Sequence, residues 1–150
     1  MEEHDYDRYP ELTNKQLAEY GFSSPHKQIT EDFYANVIKV VDGDTIRVEC
    51  DFRDFNFPIR FLGIDAPEMS EGGEEAREWL KSRILGEEIE VKIDKRQRVG
   101  KYGRLLGQIH HMGMDIGEVM RQLCLVISFD QRNEGKLPEL TKTFRIKQWL

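Results

Sequence analysis

Residues 42–68 read DGDTIRVECDFRDFNFPIRFLGIDAPE, and the alternation inside this stretch decides the fold to expect. In TIRVEC, Ile46, Val48 and Cys50 alternate with Thr45, Arg47 and Glu49, so a strand here buries one face. Asp42 and Gly43 form a hairpin dipeptide that joins this strand to the branched run YANVIKVV, which starts at Tyr34. On the other side a polar tip, DFRDFN, leads into PIRFLGI, a third strand, so three consecutive antiparallel strands make a meander. Pro67 lacks an amide hydrogen and fixes its own φ, which ends the run at residues 65–68, DAPE.

Working outward, MSEGG reads as a loop and EEAREWLKSRIL as a helix, with Ala76, Trp79, Leu80 and Ile84 on one face. Its first-turn glutamates favour the helix dipole. EIEVKID is a fourth strand and GRLLGQIHH a fifth, turned at Met112 and Gly113. Asp115 caps a second helix, Glu118 completes a capping box, and Ile116, Val119, Met120 and Leu123 face the core. A further helix is expected from Pro138, with Leu140 and Phe144 inward. The element order predicts an α+β, mainly β fold: a five-stranded OB-type Greek-key barrel with two or three helices, spanning residues 34–150. Residues 1–33 form an acidic N-terminal extension, in which Thr13 caps a short helix, NKQLAEY, ended by Gly21. Periodicity leaves open whether that extension packs on its own domain or on a protein partner.

The chain of 150 residues suffices for one domain, and 39% hydrophobic with 33% charged residues suits a globular protein. No apolar run approaches the roughly 18 residues of a membrane helix, so no membrane contact is expected. The acidic start, MEEHDYDRYPEL, lacks the apolar core of a secretory signal, and a cytoplasmic location is the expectation. Cys50 and Cys124 lie far apart without metal-ligand spacing and read as buried free thiols. His4, His26, His110 and His111 have no partner at useful spacing and read as structural or exposed. The net charge of −6 is unevenly spread. Residues 92–104, KIDKRQRVGKYGR, hold six bases and one acid, a basic stripe suited to phosphates within an acidic molecule.

The residues that carry chemistry are Asp44 and Asp65, each at a strand end, with Arg60 and Glu68 nearby in sequence and Arg104 much later. Each has an ordinary explanation: DGDT is most often just a turn, and a strand arginine usually snorkels to solvent. Together, carboxylates beside a base and a fixed cation suit metal-assisted attack on a phosphodiester. The combination of DGDT, RFLGIDAPE and DKRQRVGKYGRLL is far rarer than its parts. With it, the sequence resembles the staphylococcal nuclease (thermonuclease) family from about residue 37 to 126.

The resemblance implies roles at the matching positions. Asp44 and Asp65 would be carboxylate ligands of one Ca²⁺, and Ala66, where the family often has threonine, would bind it through its backbone carbonyl. Glu68 would position or deprotonate the attacking water. Arg60 and Arg104 would grip the phosphate, and Lys101 and Tyr102 the neighbouring 5′ phosphate. The implied activity is Ca²⁺-dependent endonucleolytic hydrolysis of DNA and RNA with little sequence preference, leaving 3′-phosphate and 5′-hydroxyl ends. The sequence departs from the family in a shortened loop after Glu68, in Phe129 where a phosphate-contacting tyrosine is usual, and in the acidic extension. Two other classes compete: a noncatalytic nuclease-like module, in which the acid and arginine positions are replaced, and a single-strand-binding OB domain, which needs exposed aromatic platforms. All the acid and arginine positions stand here. Phe52, Phe55, Phe57 and Phe61 read as packing residues.

Overall fold

A computed structural model describes residues 4–20, 24–100 and 103–128. Within them the strands are β1 (Phe33–Asp42), β2 (Thr45–Cys50), β3 (Arg53–Phe61), β4 (Ile64–Asp65), β5 (Glu88–Lys92), β6 (Leu105–His111), β7 (Met114–Asp115) and β8 (Ile127–Ser128). The helices are α1 (Asn14–Tyr20), α2 (Gly73–Ile84) and α3 (Ile116–Gln122).

Strands β3, β2, β1, β5 and β6 lie side by side in that order, each pair antiparallel, and β6 returns to pair with β3 in parallel. This last pairing closes a five-stranded barrel and removes its free edges. The fold is α+β and mainly β, as the element order predicts. Alternation places Phe57, Ile59 and Phe61 of β3 in the barrel with Ile46 and Val48 of β2. Pro58 and Arg60 point to the other face and are half-buried. Ala76, Leu80 and Ile84 of α2 are fully buried in the same core, at the spacing that puts them on one helical face.

Several local expectations change. The DFRDFN tip is not a loop: β3 begins at Arg53, opposite Cys50, because Arg53 and Phe57 are buried and hold the ribbon down. PIRFLGI is not one strand. It breaks at Gly63, φ 79°, and Ile64 and Asp65 pair instead with Ile127 and Ser128. Leu123 is 47% exposed at the end of α3, where Cys124 takes φ 58° and the chain turns away. Asp115 accepts from the Glu118 amide at 3.1 Å, but the Glu118 carboxylate pairs with Arg121 rather than completing the box. A full box forms instead at α1. Thr13 Oγ1 accepts from the Gln16 amide at 3.1 Å, and Gln16 Oε1 accepts from the Thr13 amide at 3.0 Å. Cys50 and Cys124 are free thiols, half-buried rather than buried. Phe129 and the helix expected from Pro138 lie outside the described residues.

The N-terminal segment packs on the barrel. Leu12 is fully buried, and Glu11 at 1% exposed is buried with Arg53 and Arg98. The Leu12 amide donates to Gln28 Oε1 at 2.6 Å, and the Ile29 amide to Glu11 Oε2 at 2.9 Å. Arg53 also lies 4.5 Å from the Phe57 ring centre and 5.0 Å from that of Phe55, which faces its remaining nitrogens with π-electrons.

Candidate active site

The turn between β1 and β2 delivers Asp44. A Cβ on Gly43 would lie 2.7 Å from the Ala76 Cβ and 3.0 Å from the Ala66 Cβ, so only glycine lets this turn settle against α2 and residue 66. That closeness lets the Ala66 amide donate to Asp44 Oδ2 at 2.9 Å. Thr45 Oγ1 donates to Asp44 Oδ1 at 3.0 Å, and the Asp44 amide donates to Asp42 Oδ1 at 3.0 Å. Asp44 is thereby held on both oxygens and 7% exposed.

Asp65 arrives on β4, after the Gly63 turn, and is 4% exposed. Arg60 joins the two acids. It sits opposite Thr45 across the β2–β3 pair, and its Nη2 lies 3.1 Å from Asp65 Oδ1 and 3.5 Å from Asp44 Oδ2. Its Nη1 donates to the Phe61 carbonyl at 3.2 Å. Two nearly buried carboxylates thus converge on one guanidinium nitrogen. The resemblance assigns Arg60 to phosphate alone, whereas here it also bonds the acids.

Arg104 immediately precedes β6. Since Arg60 pairs with Leu106 across the parallel β3–β6 contact, and Arg104 lies two residues before Leu106, both arginines belong to the outward register of adjoining strands. Arg104 is half-buried and makes no ion pair among the described residues. Glu68 is exposed. Its carbonyl accepts from the amides of Glu71 at 2.8 Å and Gly73 at 2.9 Å, which folds the short loop tightly onto the start of α2. A Cβ on Gly73 would come within 2.4 Å of the Pro67 carbonyl oxygen, so this turn too requires glycine. Lys101 and Tyr102 lie outside the described residues.

Among the described residues, no group of three or more His, Cys, Asp or Glu side chains gathers closely enough to hold a metal. Asp44 and Asp65, which share the Arg60 Nη2, and the backbone of Ala66, whose amide bonds Asp44, bring together two carboxylates and a peptide group. The donor chemistry suits a hard cation that also takes water. The basic stripe is only partly available for phosphates, because Arg98 is turned inward and 3% exposed. Asp42 and Thr45, which support Asp44, were missed as site residues, although the DGDT run contains both.

Burial pushes the Asp44 carboxyl up from 3.8 to about 6, helped by the hydrogen bond and charge of Asp42; the Ala66 amide and Arg60 pull the other way. A carboxyl raised in the folded state contributes stability below about pH 4 that is lost as pH rises through about 6. In chelator, the unfolding free-energy difference between wild type and Asp44→Asn should therefore shift against wild type from about pH 4 to about pH 7, by on the order of 1–3 kcal/mol. Thermal melts at stepped pH read this. A difference that is flat, or moves in favour of wild type, would overturn the account.

Comparison with known proteins meets this geometry from another direction. Residues 58–144 match the family model described as staphylococcal nuclease homologue, a span that includes Arg60, Asp65, Glu68 and Arg104. An uncharacterized endonuclease of Escherichia coli O157:H7 is 33% identical over 117 residues, 76% of this chain and 73% of that protein. A thermonuclease of Staphylococcus hyicus is 32% identical over 80 residues, 49% of this chain and 46% of its own. A micrococcal nuclease of Shigella flexneri is 34% identical over 80 residues, 53% and 43% of the two chains. With the barrel, its order of strands and the matched span in agreement, the chain belongs to the staphylococcal nuclease family.

Proposed function

We propose that this protein is a Ca²⁺-dependent nuclease that hydrolyses phosphodiester bonds in DNA and RNA with little sequence preference. The observation that carries the reading is the convergence of Asp44 and Asp65 on Arg60, beside the outward register that holds Arg104. The three relatives named above are all called nucleases or endonucleases, which supports the same class of substrate.

In this reading Asp44, Asp65 and the Ala66 carbonyl would hold Ca²⁺, which would supply polarisation of a phosphate oxygen and offset its charge. Arg60 and Arg104 donate planar pairs of N–H groups to the equatorial oxygens, where charge accumulates as water attacks. Arg60 has N–H groups to spare for this, since a guanidinium carries five. Glu68, exposed on the loop after β4, accepts the proton of the attacking water. The water oxygen bonds to phosphorus as the bond to the 5′ oxygen breaks, and that oxygen takes a proton from solvent, so the products would carry 3′-phosphate and 5′-hydroxyl ends. Lys101 and Tyr102 bind the adjacent 5′ phosphate.

Digestion of plasmid and single-stranded substrates with Ca²⁺, with Mg²⁺ or with chelator tests this. Cleavage is expected with Ca²⁺, weakly with Mg²⁺, which demands a tighter octahedral shell and keeps its waters, and not in excess chelator. Fragments should accept 5′ phosphate from a phosphatase-free kinase without prior dephosphorylation. Undiminished cutting in chelator would remove the metal from the mechanism. Retardation of DNA with no cutting under any condition would establish a noncatalytic binding module instead.

A further inference from the structure

The turn that carries Arg104 is gripped by residues far outside the family match at 58–144. Approaching β6, the chain folds back on itself. The Leu106 amide donates to the Arg98 carbonyl and the Gly100 amide to the Arg104 carbonyl, each at 2.8 Å, with Val99 bridged to Leu105. Arg98 and Arg104 thus stand on opposite sides of one narrow ladder. A ladder this short, containing Gly100 and Gly103, has little packing of its own to hold an arginine still.

Two contacts from the N-terminal segment supply that packing. Arg98 donates to the Ile29 carbonyl at 2.7 Å, the Leu12 carbonyl at 3.1 Å and Glu11 Oε2 at 3.3 Å. The other oxygen of Glu11 accepts from Arg53 at 2.5 Å, and Arg53 begins β3, the strand that carries Arg60. One buried carboxylate therefore ties the Arg104 ladder to the Arg60 strand. At the far end Tyr9 lies against Gly103, the residue before Arg104. A Cβ on Gly103 would be 3.1 Å from the Cβ, Cγ and Cδ1 of Tyr9, and Gly103 itself has φ +77°.

We propose that Tyr9 and Glu11 are positioning residues for the two-arginine phosphate grip, Tyr9 by backing the Gly103 turn and Glu11 by locking Arg98 to Arg53. The proposal rests on the nuclease reading, since it assigns the brace a purpose only if Arg104 meets phosphate. Oriented donors lose most of their effect when displaced by about 1 Å, so a loosened turn lowers kcat more than it raises KM.

The test is a double-mutant cycle on the full chain. Tyr9→Ala should lower kcat about tenfold with a small change in KM, and Tyr9→Phe, which keeps the ring on Gly103, should restore it. In an Arg104→Ala background Tyr9→Ala should have less than about a twofold further effect, because no guanidinium remains to be placed. Equal losses in both backgrounds would overturn the proposal while leaving the nuclease reading intact. Amide hydrogen exchange reads the same brace without substrate. In Tyr9→Ala the Gly100 amide should exchange at least about tenfold faster, while the β2 amides remain protected. Unchanged exchange at Gly100 overturns the proposal even if the protein cleaves nothing. An inactive wild type with that exchange response would sink the nuclease reading and leave Tyr9 as a brace of the turn, with no phosphate grip to position.

Discussion

Replacing Arg60 or Arg104 by lysine should lower kcat by roughly 10²–10³, the scale of removing one oriented donor from a developing oxyanion. Lysine keeps the charge and loses the planar pair of N–H groups that fits two phosphate oxygens at once. The two variants should nonetheless differ in stability. Arg60 spans Asp65, Asp44 and the Phe61 carbonyl with two nitrogens, an arrangement one ammonium cannot reproduce. Arg104 makes no ion pair among the described residues, so Arg104→Lys should melt close to wild type while Arg60→Lys melts lower. Turnover of a short oligonucleotide at saturating Ca²⁺, with melts alongside, checks both statements. Near-normal kcat in both lysine variants would reduce these arginines to counter-charges.

Truncating Glu11 should produce the largest loss of stability. Its carboxylate is shared by Arg53 and Arg98, and all three side chains are at most 2% exposed. Glu11→Ala would leave two buried guanidinium groups without their common anion, and breaking a buried pair costs about 3–5 kcal/mol. That is a large part of a typical folding free energy of about 5–15 kcal/mol. A fall of roughly 6–20 °C in melting temperature should follow for a chain of this size. Replacing Glu11, Arg53 and Arg98 together by apolar residues of similar volume should cost much less, since no stranded charge remains. A Glu11→Ala protein that melts within about 2 °C of wild type would show that water or another group takes the place of the carboxylate. The same cluster explains how an acidic segment stays attached: its buried Glu11 pairs with both Arg53 and Arg98.

The sequence alone determined the elements whose signals are local. Alternation in TIRVEC, the 3.6-residue spacing of Ala76, Leu80 and Ile84, and the caps at Thr13 and Asp115 each depend on neighbours within a few residues, and each element forms as read. The motifs likewise pointed to Asp44, Arg60, Asp65, Glu68 and Arg104 as candidate chemistry, because the residue types and their spacing are visible along the chain. Tertiary structure decided what distance in sequence conceals. The parallel β3–β6 pairing that closes the barrel and aligns Arg60 with the Arg104 strand leaves no periodic trace, since each strand alternates the same way whichever neighbour it meets. Arg98 sits in a basic stripe that reads as suited to phosphates, yet it is buried where an acid 87 positions earlier folds against it. Arg53 sits in a polar tip, yet it anchors a strand because the same acid, 42 positions away, receives it. Glu68 reads from its motif as the carboxylate that activates water, and the amides of Glu71 and Gly73 on its carbonyl fold the loop that leaves its side chain exposed. For Arg53 and Arg98, burial of a charge is favourable only once its partner has arrived, and the arrival of that partner is a property of the closed barrel rather than of any local stretch.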